Sequence, residues 1–122
     1  MSPKHFPTYR VSQTSALSKY LQVINESAIL CKVTGRIDSS AAADDYFIQL
    51  ISAPSLPSDG PVTLLMAPIK LTHVNGVDST FDIDFGPDFI KSKDGILVVV
   101  STTEFTKTLV TSDILSCTVF HH

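Results

Sequence analysis

Tryptophan is absent from the chain, and charged residues make up only 17% of its 122 residues. So few charges require either a surface rich in serine and threonine or a surface partly covered by a partner. Lysine and arginine are scattered and the net charge is −3, so binding to nucleic acid is not expected. No apolar run approaches the roughly 20 residues of a membrane-spanning helix, so no membrane contact is expected. The first ten residues lack the apolar segment of a secretory signal, which predicts synthesis in the cytoplasm.

Cysteine is also scarce, with Cys31 and Cys117 far apart in the sequence. Their separation matches no metal-binding or redox motif. Each lies within an apolar, strand-like run, which favours two buried free thiols. A disulfide between the N-terminal and C-terminal strands remains the alternative, because only geometry decides whether the two sulfurs meet.

Motifs that carry catalysis are missing: there is no G-x-S-x-G turn, no Gly-rich phosphate loop and no histidine or cysteine spacing for zinc. Asp82 and Asp84 share one strand face and would suit Ca²⁺ if Asp78 or Asp88 supplied further oxygens. An exposed acidic face is the favoured interpretation of this pair. His73 ends a strand beside a turn and is interpreted as exposed. The sequence therefore predicts no enzyme, no cofactor and no metal.

Strand-length apolar runs separated by Pro, Gly and Asp are what the chain does contain. Residues 15–24 also fit helical spacing, but a strand is favoured because the rest of the chain reads as β. The pattern predicts an all-β chain with a single β-sandwich or jelly-roll-like domain over residues 15–122, built from about eight or nine antiparallel strands. The predicted strands are 20–24, 28–37, 46–51, 62–66, 69–74, 81–85, 95–102, 108–110 and 114–120.

Individual strands carry more detailed expectations. Segment 81–85 alternates strictly, so its apolar side chains should face the core and its two aspartates the solvent. Segment 95–102 is the most apolar and is predicted at the centre of the sandwich. Gln49 interrupts an apolar strand, so its side chain should meet a polar niche or backbone groups. Gly35 predicts a bulge or a turn into the following loop.

The first 14 residues are polar, contain Pro3 and Pro7, and are predicted to form an extended N-terminal arm. A frayed terminus is the ordinary alternative. Phe6 and Tyr9 give the arm apolar anchors, which favour docking on a neighbouring subunit. They are the candidate partner-docking residues of the chain.

Several segments of the chain resemble small virion proteins of tailed bacteriophages. They are YFIQL at 46–50, A-x-x-L-P-x-x-G at 53–60, FDIDFG at 81–86, GILVVVSTT at 95–103 and TL at 108–109. The resemblance covers about the C-terminal two-thirds and consists of turn and core residues. The chain departs from the group at Ser52, where Asp or Asn is usual, and in the longer loop 75–80. No active residue carries over.

The resemblance implies a β-sandwich that decorates or joins parts of a phage virion. The expected function is that of a non-enzymatic structural protein, a capsid cement, decoration or head–tail accessory protein. Its expected partners are capsid or tail proteins and further copies of itself, with a trimer favoured, and its expected location is the virion. The alternative is a carbohydrate-binding module for host-surface glycans. The absence of tryptophan makes stacking on sugars poorer in that case.

Overall fold

The structure, a computed structural model, describes residues 10–87 and 89–122. Of the predicted arm, Arg10–Gln13 forms a strand, whereas Phe6 and Tyr9 lie outside the described residues. No helix in these two ranges is long and apolar enough to cross a membrane. The strands are β1 (Arg10–Gln13), β2 (Tyr20–Ile24), β3 (Ala28–Ile37), β4 (Asp44–Ile51), β5 (Gly60–Pro61), β6 (Ile69–His73), β7 (Ser79–Asp84), β8 (Ile90–Ser92), β9 (Ile96–Ser101), β10 (Thr106–Lys107) and β11 (Leu115–His121).

Two antiparallel sheets form the fold and confirm the predicted all-β class. The five-stranded sheet has the order β1-β11-β3-β7, with β8 also paired to β3. The four-stranded sheet has the order β2-β9-β4-β6, and β5 pairs with β10 in a small separate sheet. The inner faces of the two large sheets share one buried apolar cluster that includes Leu30, Val33, Ile48, Val98 and Val119. This cluster makes the architecture a β-sandwich.

The described residues contain 11 strands, so the prediction of eight or nine was too low. Four short strands, β1, β5, β8 and β10, are too brief for an apolar period to reveal them. Two predicted strands are absent: segments 62–66 and 108–110 each contribute only a single bridge, from Leu64 to Ile51 and from Leu109 to Ser101. These segments cover a sheet with their side chains instead of extending it.

The surface that they cover is the outer face of the four-stranded sheet. Ile51, Leu97 and Val99 form a second apolar cluster there, packed against Leu56, Val62, Leu64 and Leu109, among others. All six residues of β9 are therefore buried, because one face meets the main core and the other meets these loops. The predicted central position of segment 95–102 is confirmed, since β9 lies between β2 and β4.

Gly35 lies inside β3, in regular register with Cys117 of β11 and Phe81 of β7. The expectation of a bulge or turn at this glycine was wrong. A Cβ at position 35 would lie 2.5 Å from the Ser116 carbonyl oxygen and 2.7 Å from Cζ of Phe81. Glycine is needed here because neighbouring atoms occupy the space of any side chain.

Gln49 confirms the expectation of a polar niche. Its side chain is fully buried, and the two N–H groups of Nε2 are shared among the carbonyl oxygens of Thr103, Glu104 and Thr106, which lie 3.1, 2.9 and 2.9 Å away. The Thr103 and Thr106 carbonyls also accept hydrogen bonds from Ser101 Oγ, so the amide and this hydroxyl together satisfy the buried carbonyls of the loop. Gln49 thereby fastens loop 102–106 to the outer face of β4.

The two cysteines are free and buried, which confirms the favoured interpretation. Cys117 is opposite Gly35, and Cys31 lies four residues before Gly35 in β3, a separation of roughly 13 Å at about 3.3 Å per strand residue. That distance exceeds the Cα spacing that a disulfide can bridge. Burial raises the pKa of Cys31, and it raises the pKa of Cys117 to about 12, so both thiols stay neutral.

Candidate functional site

A cavity of about 580 Å³ opens on the outer face of the five-stranded sheet. We call it the outer groove. Its walls are mainly apolar, with one lysine and one aspartate among them. The residues that define it are Cys31, Lys32, Asp84, Pro87, Phe89 and Phe120.

Strand register builds the floor of the outer groove. Val11 is opposite Phe120, Phe120 is opposite Lys32, and Lys32 is opposite Asp84, so one row of side chains crosses β1, β11, β3 and β7. Cys31 is an extra residue in β3, because the register skips from the Lys32–Phe120 pair to a pair between residues 30 and 121. This β-bulge brings both Cys31 and Lys32 to the groove side of the sheet.

The connection between β7 and β8 forms the wall of the outer groove. The Phe85 N–H donates to the Cys31 carbonyl at 3.1 Å, and the Gly86 N–H donates to Oδ1 of Asp84 at 2.8 Å. Gly86 has a φ of 56°, a left-handed conformation that glycine adopts without strain. Beyond this turn, Phe89 is 40% exposed and packs edge-on against His122, with ring centroids 6.1 Å apart.

The outer groove carries a paired lysine and a neutral thiol. Nζ of Lys32 lies 3.9 Å from Oδ1 of Asp82 on the neighbouring row, so its charge is partly compensated at the rim. The raised pKa of Cys31, caused by burial, keeps its thiol from acting as a thiolate nucleophile. The groove therefore presents a mainly apolar surface that also carries one lysine, Lys32, and one aspartate, Asp84.

The acidic pair behaves as its favoured interpretation predicts: Asp82 and Asp84 are exposed on the outer face, whereas Phe81 packs into the core. Asp78 does not join them, because its Oδ1 accepts from the Ser39 N–H at 2.7 Å and pairs with Arg36. Among residues 10–87 and 89–122 there is no group of three or more metal-ligating side chains. Asp88, the other proposed contributor, lies outside the described residues.

His73 was expected at an exposed turn, and this expectation was wrong. Its side chain is 2% exposed because β6 places it on the inner face, in step with Ile69 and Leu71. Its Nδ1 is hydrogen-bonded to Oγ of Ser79 at 2.7 Å, and its ring packs against Tyr46 with centroids 5.9 Å apart. His73 therefore acts as a packed core residue at the end of the sandwich.

A second cavity, of about 410 Å³, lies at one end of the sandwich and is lined by hydroxyl and carboxyl groups together with apolar side chains such as Leu109, Val110 and Ile114. We call it the polar end cavity. Tyr46 contributes little aromatic surface to it, because its ring is 6% exposed and its hydroxyl donates to the Ala42 carbonyl at 2.8 Å. The polar residues around the cavity are Ser40, Asp44, Thr102, Thr108, Thr111, Ser112 and Asp113.

Comparisons of the chain with family models, with curated proteins and with solved structures return no match. The fold and the groove must therefore be interpreted from their own chemistry. Sequence reasoning missed the outer groove. The buried positions of β3 change phase at Cys31, from 28 and 30 to 33 and 37, as a bulge requires, but the sequence hides this change because residues 28–31 are all apolar.

Proposed function

We propose that the chain is a non-enzymatic structural protein of a phage virion that binds capsid or tail proteins as a cement, decoration or head–tail accessory module. The outer groove is the observation that supports this function best. Apolar surface that stays open on one sheet face and is bordered by polar residues is typical of a protein-binding site. The phage role itself rests on the resemblance of residues 46–109 to virion proteins.

The placement of the charged groups supports a binding role over an enzymatic one. Asp38 accepts hydrogen bonds from Ser40 and Arg36, and these lower its pKa to about 2. Asp59 accepts from Lys107 and from the Leu109 N–H, which lowers its pKa as well. Both carboxylates hold loops in place and so have a structural use. Neither belongs to a cleft with a second perturbed group, which acid–base catalysis would need.

Assembly into a homo-oligomer, with a trimer favoured, is part of this proposal. β1 lies at an edge of the five-stranded sheet and exposes Val11, which is 55% accessible, directly beside the outer groove. Edge and groove together form one continuous surface, to which a neighbouring subunit or a virion protein could add through apolar contacts or strand pairing.

The test is co-sedimentation of the purified protein with capsid or tail particles of its source, combined with light scattering of the protein alone. Phe89→Asp should abolish sedimentation with the particles, because it places a charge in the apolar wall of the groove. Phe105→Asp is the matched control, since Phe105 is 66% exposed and lies outside the groove. Equal binding by wild type and both variants, or no binding by wild type, would rule out this function for the groove.

Binding of host-surface glycans is the second candidate function. The polar end cavity favours it, because hydroxyl and carboxyl groups can hydrogen-bond sugar hydroxyls. The buried ring of Tyr46 leaves the cavity without a stacking platform, so we rank this candidate second. A glycan array would test it: specific binding that Asp44→Ala abolishes and Asp82→Ala preserves would favour the glycan role.

A further inference from the structure

We propose that two copies of this chain pair through strand β6, antiparallel and about a two-fold axis, so that their four-stranded sheets join into one continuous sheet. The surface used is the free side of β6 (Ile69–His73), which we call the β6 edge. β6 packs over β7, whereas β1 packs over β2 at the opposite edge of the sandwich. The pairing is therefore separate from the surface formed by β1 and the outer groove, and it does not depend on a role in a virion.

Hydrogen bonds beside β6 show which way the backbone of β4 points. On the side of β4 that faces β6, the Leu65 N–H donates to the Leu50 carbonyl at 2.8 Å, and the Ser52 N–H donates to the Thr63 carbonyl at 2.9 Å. The direction of the backbone groups alternates along an antiparallel strand. The even-numbered residues of β4 therefore direct their N–H and C=O groups toward β6.

The same alternation continues in β6. Its register pairs the even-numbered residues of β4 with Ile69, Leu71 and His73, so the backbone groups of these three residues bond to β4. The N–H and C=O groups of Lys70 and Thr72 therefore point away from the sheet. Within residues 10–87 and 89–122, no hydrogen bond reaches these outward groups.

Two of the other edge strands are less suited to a second copy. Along β2, the Tyr20 carbonyl accepts from Oγ of Ser18 at 2.9 Å and the Val23 carbonyl from Oγ of Ser12 at 3.4 Å, so side chains already occupy part of that edge. β7 carries an exposed aspartate, Asp82, near its middle. A second β7 would bring these carboxylates together, and like charges across a strand pair are destabilising.

The β6 edge is complementary to a second copy of itself. With Leu71 on the two-fold axis, Lys70 lies opposite Thr72 of the second copy, and Thr72 lies opposite its Lys70. Each of these two pairs exchanges two hydrogen bonds, which gives four in all. The side chains of Leu71, only partly buried in the single chain, meet across the axis. One residue beyond β6, Val74, which is 61% exposed, comes next to Pro68 of the second copy.

The charges at the β6 edge permit this register. Lys70 is the one lysine of β6, and its Nζ lies 3.6 Å from Oδ2 of Asp45 on β4, so its charge is compensated within each copy. Because Lys70 faces Thr72 of the second copy, no like charges lie directly opposite each other. An axis at Lys70 would instead oppose two lysines and would place Thr72 against Pro68, which has no N–H to donate.

Sedimentation equilibrium of the full chain tests the pairing. A contact of this size gives a weak dimer, so the measurement extends to about 1 mM. Thr72→Pro removes an outward N–H, which an edge strand tolerates because no bond inside the sheet is lost. In the dimer it deletes two of the four hydrogen bonds, so we expect the dissociation constant to rise about thirtyfold, at roughly a factor of five for each bond.

Thr80→Pro is the matched control on the other sheet. Thr80 is exposed in the edge strand β7, and its N–H also points outward, because the Phe85 N–H, an odd number of residues away, bonds to the Cys31 carbonyl of β3. This variant should leave the dissociation constant unchanged. Circular dichroism of both variants checks that they are folded.

Leu71→Cys provides a second test that needs no proline. Residues that face each other on the axis form a non-hydrogen-bonded pair with Cα atoms about 4.5 Å apart, which a disulfide can bridge. Under mild oxidation Leu71→Cys should form disulfide-linked dimers, whereas Thr80→Cys should not. The native cysteines do not interfere, because both are buried.

A monomeric wild type at the highest concentration would overturn the proposal, as would equal dissociation constants for wild type and Thr72→Pro, or cross-linking of Leu71→Cys no faster than that of Thr80→Cys. A trimer that Thr72→Pro leaves intact would also overturn it, while agreeing with assembly through β1 and the outer groove. If the wild type is monomeric but sediments with virion particles, and Thr72→Pro alone abolishes this, the occupant of the β6 edge is a strand of another protein and the pairing of two copies is refuted. Loss of the dimer in Thr72→Pro with unchanged particle binding would support the pairing independently of the proposed function.

Discussion

Replacing Gly35 with alanine tests how tightly the five-stranded sheet is packed. The new Cβ would lie 2.5 Å from the Ser116 carbonyl oxygen, 2.7 Å from Cζ of Phe81 and 2.8 Å from Cβ of Cys117. The Phe81 ring can shift, but the Ser116 carbonyl belongs to β11 and moves only if the two strands separate. Overpacking of this kind costs about 3 kcal/mol. Alanine regains about 0.5–1 kcal/mol of glycine's backbone entropy, so steric repulsion dominates and the net loss is about 2 kcal/mol.

Urea unfolding followed by circular dichroism measures this loss, with thermal unfolding as a second readout. A loss of about 2 kcal/mol corresponds to a fall of roughly 8 °C in Tm for a domain of this size. Gly86→Ala is the comparison, because nothing lies within 4 Å of its Cβ and its φ is 56°, so it reports backbone strain alone, about 1–2 kcal/mol. In the Gly35→Ala background, Phe81→Leu should cost less than it does in wild type, because it removes one of the clashing atoms. A Gly35→Ala variant within 0.5 kcal/mol of wild type would refute the packing argument.

Three further predictions concern buried or hydrogen-bonded polar groups. Gln49→Leu should lower the free energy of unfolding by about 1–3 kcal/mol, because the buried Glu104 carbonyl loses its donor and the Thr103 and Thr106 carbonyls lose one of theirs; an unchanged urea midpoint would contradict this. Burial, Arg10 and His122 lower the pKa of His121 below its ordinary 6.5, so the unfolded chain binds the proton more readily and stability should fall as pH drops below about 6.5. The urea midpoints at pH 7.5 and pH 5 should therefore differ less in His121→Gln than in the wild type. An equal difference in both proteins would show that His121 is not the source of this pH dependence. Hydrogen bonds from Ser40 and Arg36 lower the pKa of Asp38 from 3.8 to about 2, so its contribution is present above pH 4 and disappears as pH falls toward 2. Asp38→Asn should remove that part of the acid transition, and an identical acid-unfolding curve would count against it.

Short-range patterning explains most of the predictions that the structure confirms. Segment 81–85 alternates because one face of β7 packs inward and the other meets solvent. Segment 95–102 is apolar throughout because both faces of β9 are covered. Gln49 was recognisable as an interruption in an apolar strand, although its three carbonyl partners were not. These features depend on neighbours within a few residues, so the sequence alone carries them.

Other features depend on which strands become neighbours, and only the tertiary structure decided those. Segment 62–66 has the composition of a strand, yet its side chains cover the outer face of the four-stranded sheet. An apolar run indicates that a segment is buried, but it does not indicate whether the segment pairs with another strand. His73 is buried because its side chain lies on the inner face of β6. Glycine is required at position 35 because atoms of the neighbouring strands β7 and β11 occupy the space of a side chain.

The outer groove belongs to the same category. It joins three separate parts of the chain, represented by Cys31, by Asp84 with Phe89, and by Phe120, and one extra residue in β3 sets its floor. The sequence by itself determined the all-β class, the buried thiols and the exposed acidic face, because these follow from local period and composition. The register between strands, and with it the groove, follows from contacts across about 90 residues of chain, which no local period encodes.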